Sequence, residues 1–390
     1  MKIGTWTVAG ASVCAFVLAG AAPAVFGACS SSSTPPAPPG ANSGDGGPSC
    51  ATEAGAYPPP NCDDTNESCT APNPPCPTAP CSATSPCLAL ADNTGKATDD
   101  LRLRKLNVTA PPALAEHFIQ SGVIDEGVNL DNICGEPGDG SFSWLISFNP
   151  TTGQLVTGGA PPTDDPINIG YCFVNENIGG LPVAPITTQM TKQADGSWAS
   201  AVIPKLYVPI YVNGDPNNVV VLPLTQAKIL GVVLSTDGNC IGSFNPDGVT
   251  SPTSAGICAD QDPSSCQRWH TDGALGGFIT LKEADNVNVE TLGKSLCVLL
   301  TGGTSTSNGG ANCAKDANGN ILAQGDFCST TDSPGGCADS YWLAATFAAS
   351  AALITPGSNV AACNGSLAGG DGGTSPGDGG TTPSDGGGPG

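Results

Sequence analysis

The chain reads as mainly β: a disulfide-stabilised, jelly-roll-like β-sandwich with a few short helices. Three observations predict this. Short runs of alternating apolar residues recur about every ten residues, punctuated by Gly, Pro, Asn and Asp. The 390 residues include 18 cysteines but only two histidines, His117 and His270, and no Cys-x-x-Cys, so disulfides rather than zinc sites explain the sulfur. Charged residues make up only 12%, with Lys+Arg 12 against Asp+Glu 34, so Ser, Thr, Asn, Asp and Gly must supply the solvated surface.

Each element follows from its local pattern. In "SFSWLISF", Phe142, Trp144, Ile146 and Phe148 share one face and Ser141, Ser143 and Ser147 the other, which predicts a half-buried strand. "KLYVPIYV" turns Leu206, Val208, Ile210 and Val212 inward, and Pro209 on the opposite phase places it at an edge. "VVVLPL" from Val219 is a further strand, and the run from Lys228 predicts a hairpin about Asp237-Gly238-Asn239. Helices are expected at "PPALAEHFIQSG", with prolines in the first turn, and at "TLKEADNV", where Thr280 and Glu283 have capping-box spacing. From Ala338 to Ile354 the helical and strand periods both fit; alternate apolar residues from Tyr341 favour a buried terminal strand.

Composition divides the chain. Residues 29–49 are a Ser/Pro/Gly tether and residues 364–390 a disordered Gly/Asp-rich tail repeating on a seven-residue period without apolar positions. Residues 50–96 form a Cys/Pro-rich segment with six cysteines (Cys50, Cys62, Cys69, Cys76, Cys81, Cys87), expected as a stalk stapled by its own disulfides. Residues 97–363 are the β domain, whose ten cysteines are expected to make five bridges.

Residues 1–28 read as a signal peptide: Lys2 precedes a mostly apolar run from Trp6 to Phe26, which carries Gly10, Gly20 and Pro23 and has no basic flank after it. The run closes on Val25-Phe26-Gly27-Ala28-Cys29, which resembles the lipobox of bacterial lipoproteins, with Phe26 where that family usually has Leu. The resemblance covers only the first thirty or so residues. It implies acylation of the Cys29 thiol, cleavage before Cys29 and a membrane partner reached through that anchor. Ser30, rather than Asp, after the cysteine implies the outer membrane or cell surface. Loss of Cys14 and Cys29 would leave an even set of cysteines for pairing.

A formal net charge of −22 repels phosphate backbones, so nucleic acid is excluded as a partner. Chemistry-specific motifs are sparse. "GTSPG", Gly373 to Gly377, has nucleophile-elbow spacing but neither the strand nor the helix that an elbow needs. "DANGN", Asp316 to Asn320, has calcium-loop oxygen spacing but lacks glycine at the sixth position and Glu at the twelfth. The richest stretch is "CADQDPSSCQRWHTDG", expected as a loop closed by Cys258 and Cys266. There Asp260, Asp262, His270 and Asp272 offer carboxylates and an imidazole, and Trp269 offers an indole to stack on a sugar ring. The expectation is a non-catalytic, envelope-anchored structural or binding module, taking a glycan, cell-wall polymer or protein ligand and needing no cofactor or metal. The alternative is a metal-dependent or hydrolytic enzyme using residues 260–272.

Overall fold

The alternating runs are strands, and they follow one another around a single wall. The computed structural model describes residues 55–59, 69–76, 81, 85–116, 119–130, 138, 140–215, 217–254, 258–261, 266–289, 292–302, 310–330, 333–334, 336–357 and 363. The signal peptide, Cys29 with its tether, the C-terminal tail, His117, and Cys50, Cys62 and Cys134 lie outside the described residues.

Nine strands form the path of the main antiparallel sheet: β1 (Asp99–Ala110), β2 (Ser143–Asn149), β3 (Gln154–Ala160), β4 (Ile186–Lys192), β5 (Trp198–Ser200), β6 (Ile203–Tyr211), β7 (Val219–Leu230), β8 (Gly273–Thr280) and β9 (Ser340–Ala351). The order across the sheet is β5-β4-β3-β2-β1-β9-β8-β7-β6. Each strand therefore lies beside its sequence neighbour, and the last strand returns to the first. The open seam falls between β5 and β6, and even there the wall nearly closes. Trp198 pairs with Val232 in the register that β6 keeps with β7, while Met190 of β4 pairs with Ser200. Residues 198–211 thus act as one bent strand shared by both edges. Beyond the bend Pro209 has no N–H to offer, and it lies against Gly159 of β3, where a β-carbon would collide with it. The mainly β, disulfide-stapled architecture expected from the sequence takes the form of one curled, nearly closed sheet.

Turn chemistry accounts for the connections. Asn149 ends β2, and its Oδ1 accepts from the Thr151 and Thr152 amides at 3.0 and 2.9 Å. Gly153 then adopts φ 74°, against the Met190 carbonyl, where a side chain has no room. The hairpin expected after Lys228 is reduced to its turn. Gly238 donates to the Ser235 carbonyl and Leu234 bridges to Ile241, after which Cys240–Ile241 pairs with β9. At the predicted capping box Thr280 accepts from the Glu283 amide at 3.4 Å. The Glu283 carboxylate does not return to the Thr280 amide; it binds the Thr280 hydroxyl at 2.7 Å and Lys205 at 2.6 Å. The ambiguous alanine-rich run is strand β9, buried at nearly every position because it lies between β1 and β8 with both faces covered.

The inward faces pool into one core: Leu101, Leu103, Trp144, Ile146, Phe148, Leu206, Val208, Leu224, Ile279, Leu343 and Phe347 all belong to it. One end is plugged by Phe148 and Trp198, whose rings meet at 5.0 Å edge to face, with Leu155, Met190 and Ile203.

The cysteines correct two expectations. Cys69 pairs with Cys266, Cys76 with Cys258, and Cys87 with Cys240. Cys258 and Cys266 therefore do not close their own loop, and these three sulfurs of the Cys/Pro-rich segment bind the β domain rather than one another. The physical reason is that residues 85–91 lie on the outside of the sheet. The Leu90 amide donates to the Ala351 carbonyl at 2.8 Å and the Phe244 amide to the Pro86 carbonyl at 2.7 Å, while Cys87, Leu88, Ala89 and Leu90 are buried in a second apolar cluster. Cys172–Cys363, Cys297–Cys313 and Cys328–Cys337 complete the described bridges. Bridges in this number place folding in an oxidising, extracytoplasmic compartment. Among the described residues no helix is long and apolar enough to cross a membrane.

Candidate functional site

The sequence-derived candidates do not assemble. Trp269 is completely buried, in the cluster that holds Leu88 and Leu90, edge-on to Phe244 at 5.3 Å and beneath the Arg104 guanidinium at 5.3 Å. It is a structural anchor for the outer layer, so the expectation of an exposed sugar platform is corrected. Asp260 is held by the Arg268 guanidinium at 3.0 Å. His270 is half-buried in a two-residue strand opposite Ser243, and Asp272, also half-buried, accepts from the Val233 amide through its backbone. Asp262 lies outside the described residues. Among the described residues, the groups whose potential ligand atoms gather within 4.8 Å are Asp285/Cys297/Cys313 and Cys328/Cys337/Asp339. Neither includes Asp260, His270 or Asp272, and both contain cysteines spent in disulfides. The Asp316 carboxylate of the calcium-like loop accepts from the Asn318 and Asn320 amides, both at 2.8 Å. Its pKa is lowered by the bonds from the Asn320 side chain and amide, so the group serves its own turn.

What the fold does assemble is a cavity of about 470 Å³ inside the curled sheet. Inward residues of six strands line it, among them Leu106 and Val108 of β1, Trp144 and Ile146 of β2, Ile210 of β6, Leu222 of β7, Leu275 of β8 and Phe347 of β9. Trp144 presents only its ring carbons, because its Nε1 donates to Thr157 Oγ1 at 2.8 Å. Among the described residues the side chains of Glu126 and Ser141 are the only other polar ones on the lining.

The cavity exists because β1 and β2 part company. They pair only from Asp99 to Arg102, and residues 111–116 and 119–130 fill the gap beyond. Within the latter a π-helical turn, Gln120–Asp125, is stitched to the free edge of β1. The Gln120 side chain accepts from the Val108 amide at 2.9 Å and donates to the Leu106 carbonyl at 2.8 Å. Lys105 reaches Asp125 at 2.9 Å in a buried ion pair. Opposite stand residues 287–289 and 292–300, set by Asp285. Burial raises that carboxyl's pKa, but bonds from Lys315 at 2.8 Å, the Cys313 amide at 2.7 Å and Ser295 at 3.0 Å outweigh it, and the group titrates below its ordinary value. The exposed lining residues are Gly122, Val123, Glu126 and Leu292, which belong to these two segments and mark the mouth. Val123 and Leu292 are 45% and 43% exposed, apolar side chains standing in water at an entrance.

Protein interiors hold few voids larger than a water molecule, because each lining side chain then lacks contacts on one side. A predominantly apolar space of this size, plugged at one end and open at the other, falls within the range of small-molecule sites. Barrels of about eight strands are just wide enough to hold one small ligand. The lining positions of β2 and β6 are legible in the sequence as inward-facing; the space between them is not.

Comparison of the chain with family models, with curated proteins and with solved structures finds no match.

Proposed function

We propose that this protein is an exported, non-catalytic binding module that holds a water-insoluble ligand inside its barrel and is tethered to the cell envelope through an acylated Cys29. The observation that carries the reading is the apolar cavity of about 470 Å³ with its exposed apolar rim. The disulfides support an extracytoplasmic working place, and the lipobox-like sequence supports the anchor. Burial of Trp269 and pairing of Asp260 with Arg268 remove the specific support for glycan stacking and for a metal-dependent site.

Titration with a neutral naphthylamine dye, whose fluorescence rises in apolar surroundings, tests this. The wild-type chain should bind one equivalent of dye. Ile210→Trp, which projects bulk into the cavity from the half-buried edge of β6, should weaken binding at least tenfold while the fold stays intact by circular dichroism. Mass spectrometry of protein purified from its own envelope should show a non-covalent apolar adduct, and it reads acylation of Cys29 in the same measurement. Equal dye binding by wild type and Ile210→Trp would place the dye elsewhere and sink the proposal.

A further inference from the structure

We infer that the ligand is a single-chain amphiphile with a cationic, amine-bearing head that sits against Glu126 at the mouth. This rests on the cavity reading and adds the head group to it. Among the described residues Glu126 is the only charged side chain on the lining; it is exposed, and it follows directly on the π-helical turn that forms one lip. The adjacent carboxylate, Asp125, is turned inward to Lys105 and Gln120 and is not available to a ligand. The remaining lining is apolar apart from Ser141, so an alkyl chain fills the interior and its head must meet Glu126 at the rim. Among the described residues no lysine or arginine lines the space; Lys294 is exposed on the opposite segment but is not part of the lining. An anionic head would approach a carboxylate on a chain with a formal net charge of −22. An alkylammonium, protonated at neutral pH as a lysine amine is, gains where the carboxylate loses.

The test displaces the bound dye with dodecylamine, dodecanol and dodecanoate, each below its aggregation threshold. Displacement should be strongest with the amine, intermediate with the alcohol and weakest with the carboxylate. Glu126→Gln should narrow the amine-to-alcohol preference by about two- to fivefold, as expected for one exposed charge pair, and leave the alcohol unchanged. Raising the salt should narrow it in wild type as well. Asp164→Asn, which removes an exposed carboxylate outside the lining, should leave the ratio as it is and so separates Glu126 from the general field. Dodecanoate displacing the dye as well as dodecylamine, or a ratio unmoved by Glu126→Gln, overturns the head-group assignment while the cavity reading stands. Failure of the chain to bind the dye at all overturns both.

Discussion

Along β1 the inward side chains Leu103, Leu106 and Val108 border open space, whereas the outward Arg102, Arg104 and Lys105 are buried under other parts of the chain. A register shift between Leu103 and Lys105 makes this possible, because it puts Arg104 and Lys105 on the same outward side. Arg102 gives its N–H groups to Ser143 and to the carbonyls of Leu103, Val128 and Phe142; Arg104 binds the Leu88 carbonyl at 2.8 Å and Ser350 at 3.1 Å. The same strand thus has a closely covered, hydrogen-bonded outer face and an under-filled inner one. The outer shell and the cavity draw on different side chains, so stability and capacity should respond separately to mutation at those two places.

The largest effect should come from the outer shell. The Cys87–Cys240 bridge spans 153 residues and fastens the 85–91 segment over Trp269. Replacing both cysteines by serine should lower unfolding stability by about 4–5 kcal/mol on the chain-entropy account. The short Cys328–Cys337 bridge, with a separation of nine, should cost about 2–3 kcal/mol. Urea unfolding measures both, and dye affinity of the still-folded protein should be unchanged in each. A bridge whose removal empties the cavity of dye without loss of stability would contradict the separation.

Much of this was legible before any coordinates. Alternation named the inward face of β2 and β6, proline placed β6 at an edge, and apolar alternation from Tyr341 favoured strand for β9. What was not legible depends on distance across the molecule. Period-two alternation says which way Ile146 and Ile210 point, not how far apart their side chains stand, so the cavity left no local signal. Trp269 was misread because its cover, the 85–91 segment, is remote in sequence and was taken for a free stalk. Cysteine pairing is equally non-local: Cys258 and Cys266 are neighbours in sequence, yet each pairs with a cysteine more than 180 residues away. The signal that could have drawn attention to the mouth is the apolar Val123 beside Gly122 and Glu126, in a segment too polar to be core.

Truncating leucines on the two faces sharpens the contrast. Leu145, fully buried in the outer cluster, should cost about 2–5 kcal/mol as Leu145→Ala, through lost burial and a new void. Leu222, half-buried and bordering the cavity, already lacks contacts on one side, so Leu222→Ala should cost only about 1 kcal/mol while changing dye affinity. Equal losses at the two positions would mean that the inner face is packed as tightly as the outer.

The smallest effect lies at the rim of the outer face, where β1 begins. Asp99 is buried against the turn at Gly238, and its pKa is raised from 3.8 to about 6, by desolvation first and then by the charges of Asp100 and Asp237. A raised carboxyl binds its proton more tightly folded than unfolded. Between 3.8 and about 6, stability should therefore fall as pH rises, and above that this group adds no further slope. Asp92 works the other way: hydrogen bonds from Thr94 and Asn239 lower its pKa to about 2, so its contribution is present above 3.8 and is lost as pH falls toward 2. The two windows do not overlap, which lets one variant isolate one group. Asp99→Asn should flatten the urea midpoint between pH 4 and pH 6 and raise it at pH 7, with a residual slope from Asp100, whose pKa is also raised by burial. If the variant instead keeps the wild-type slope and is less stable at pH 7, the carboxylate is stabilising this corner. The outer shell would then be held by charge as well as by packing and sulfur.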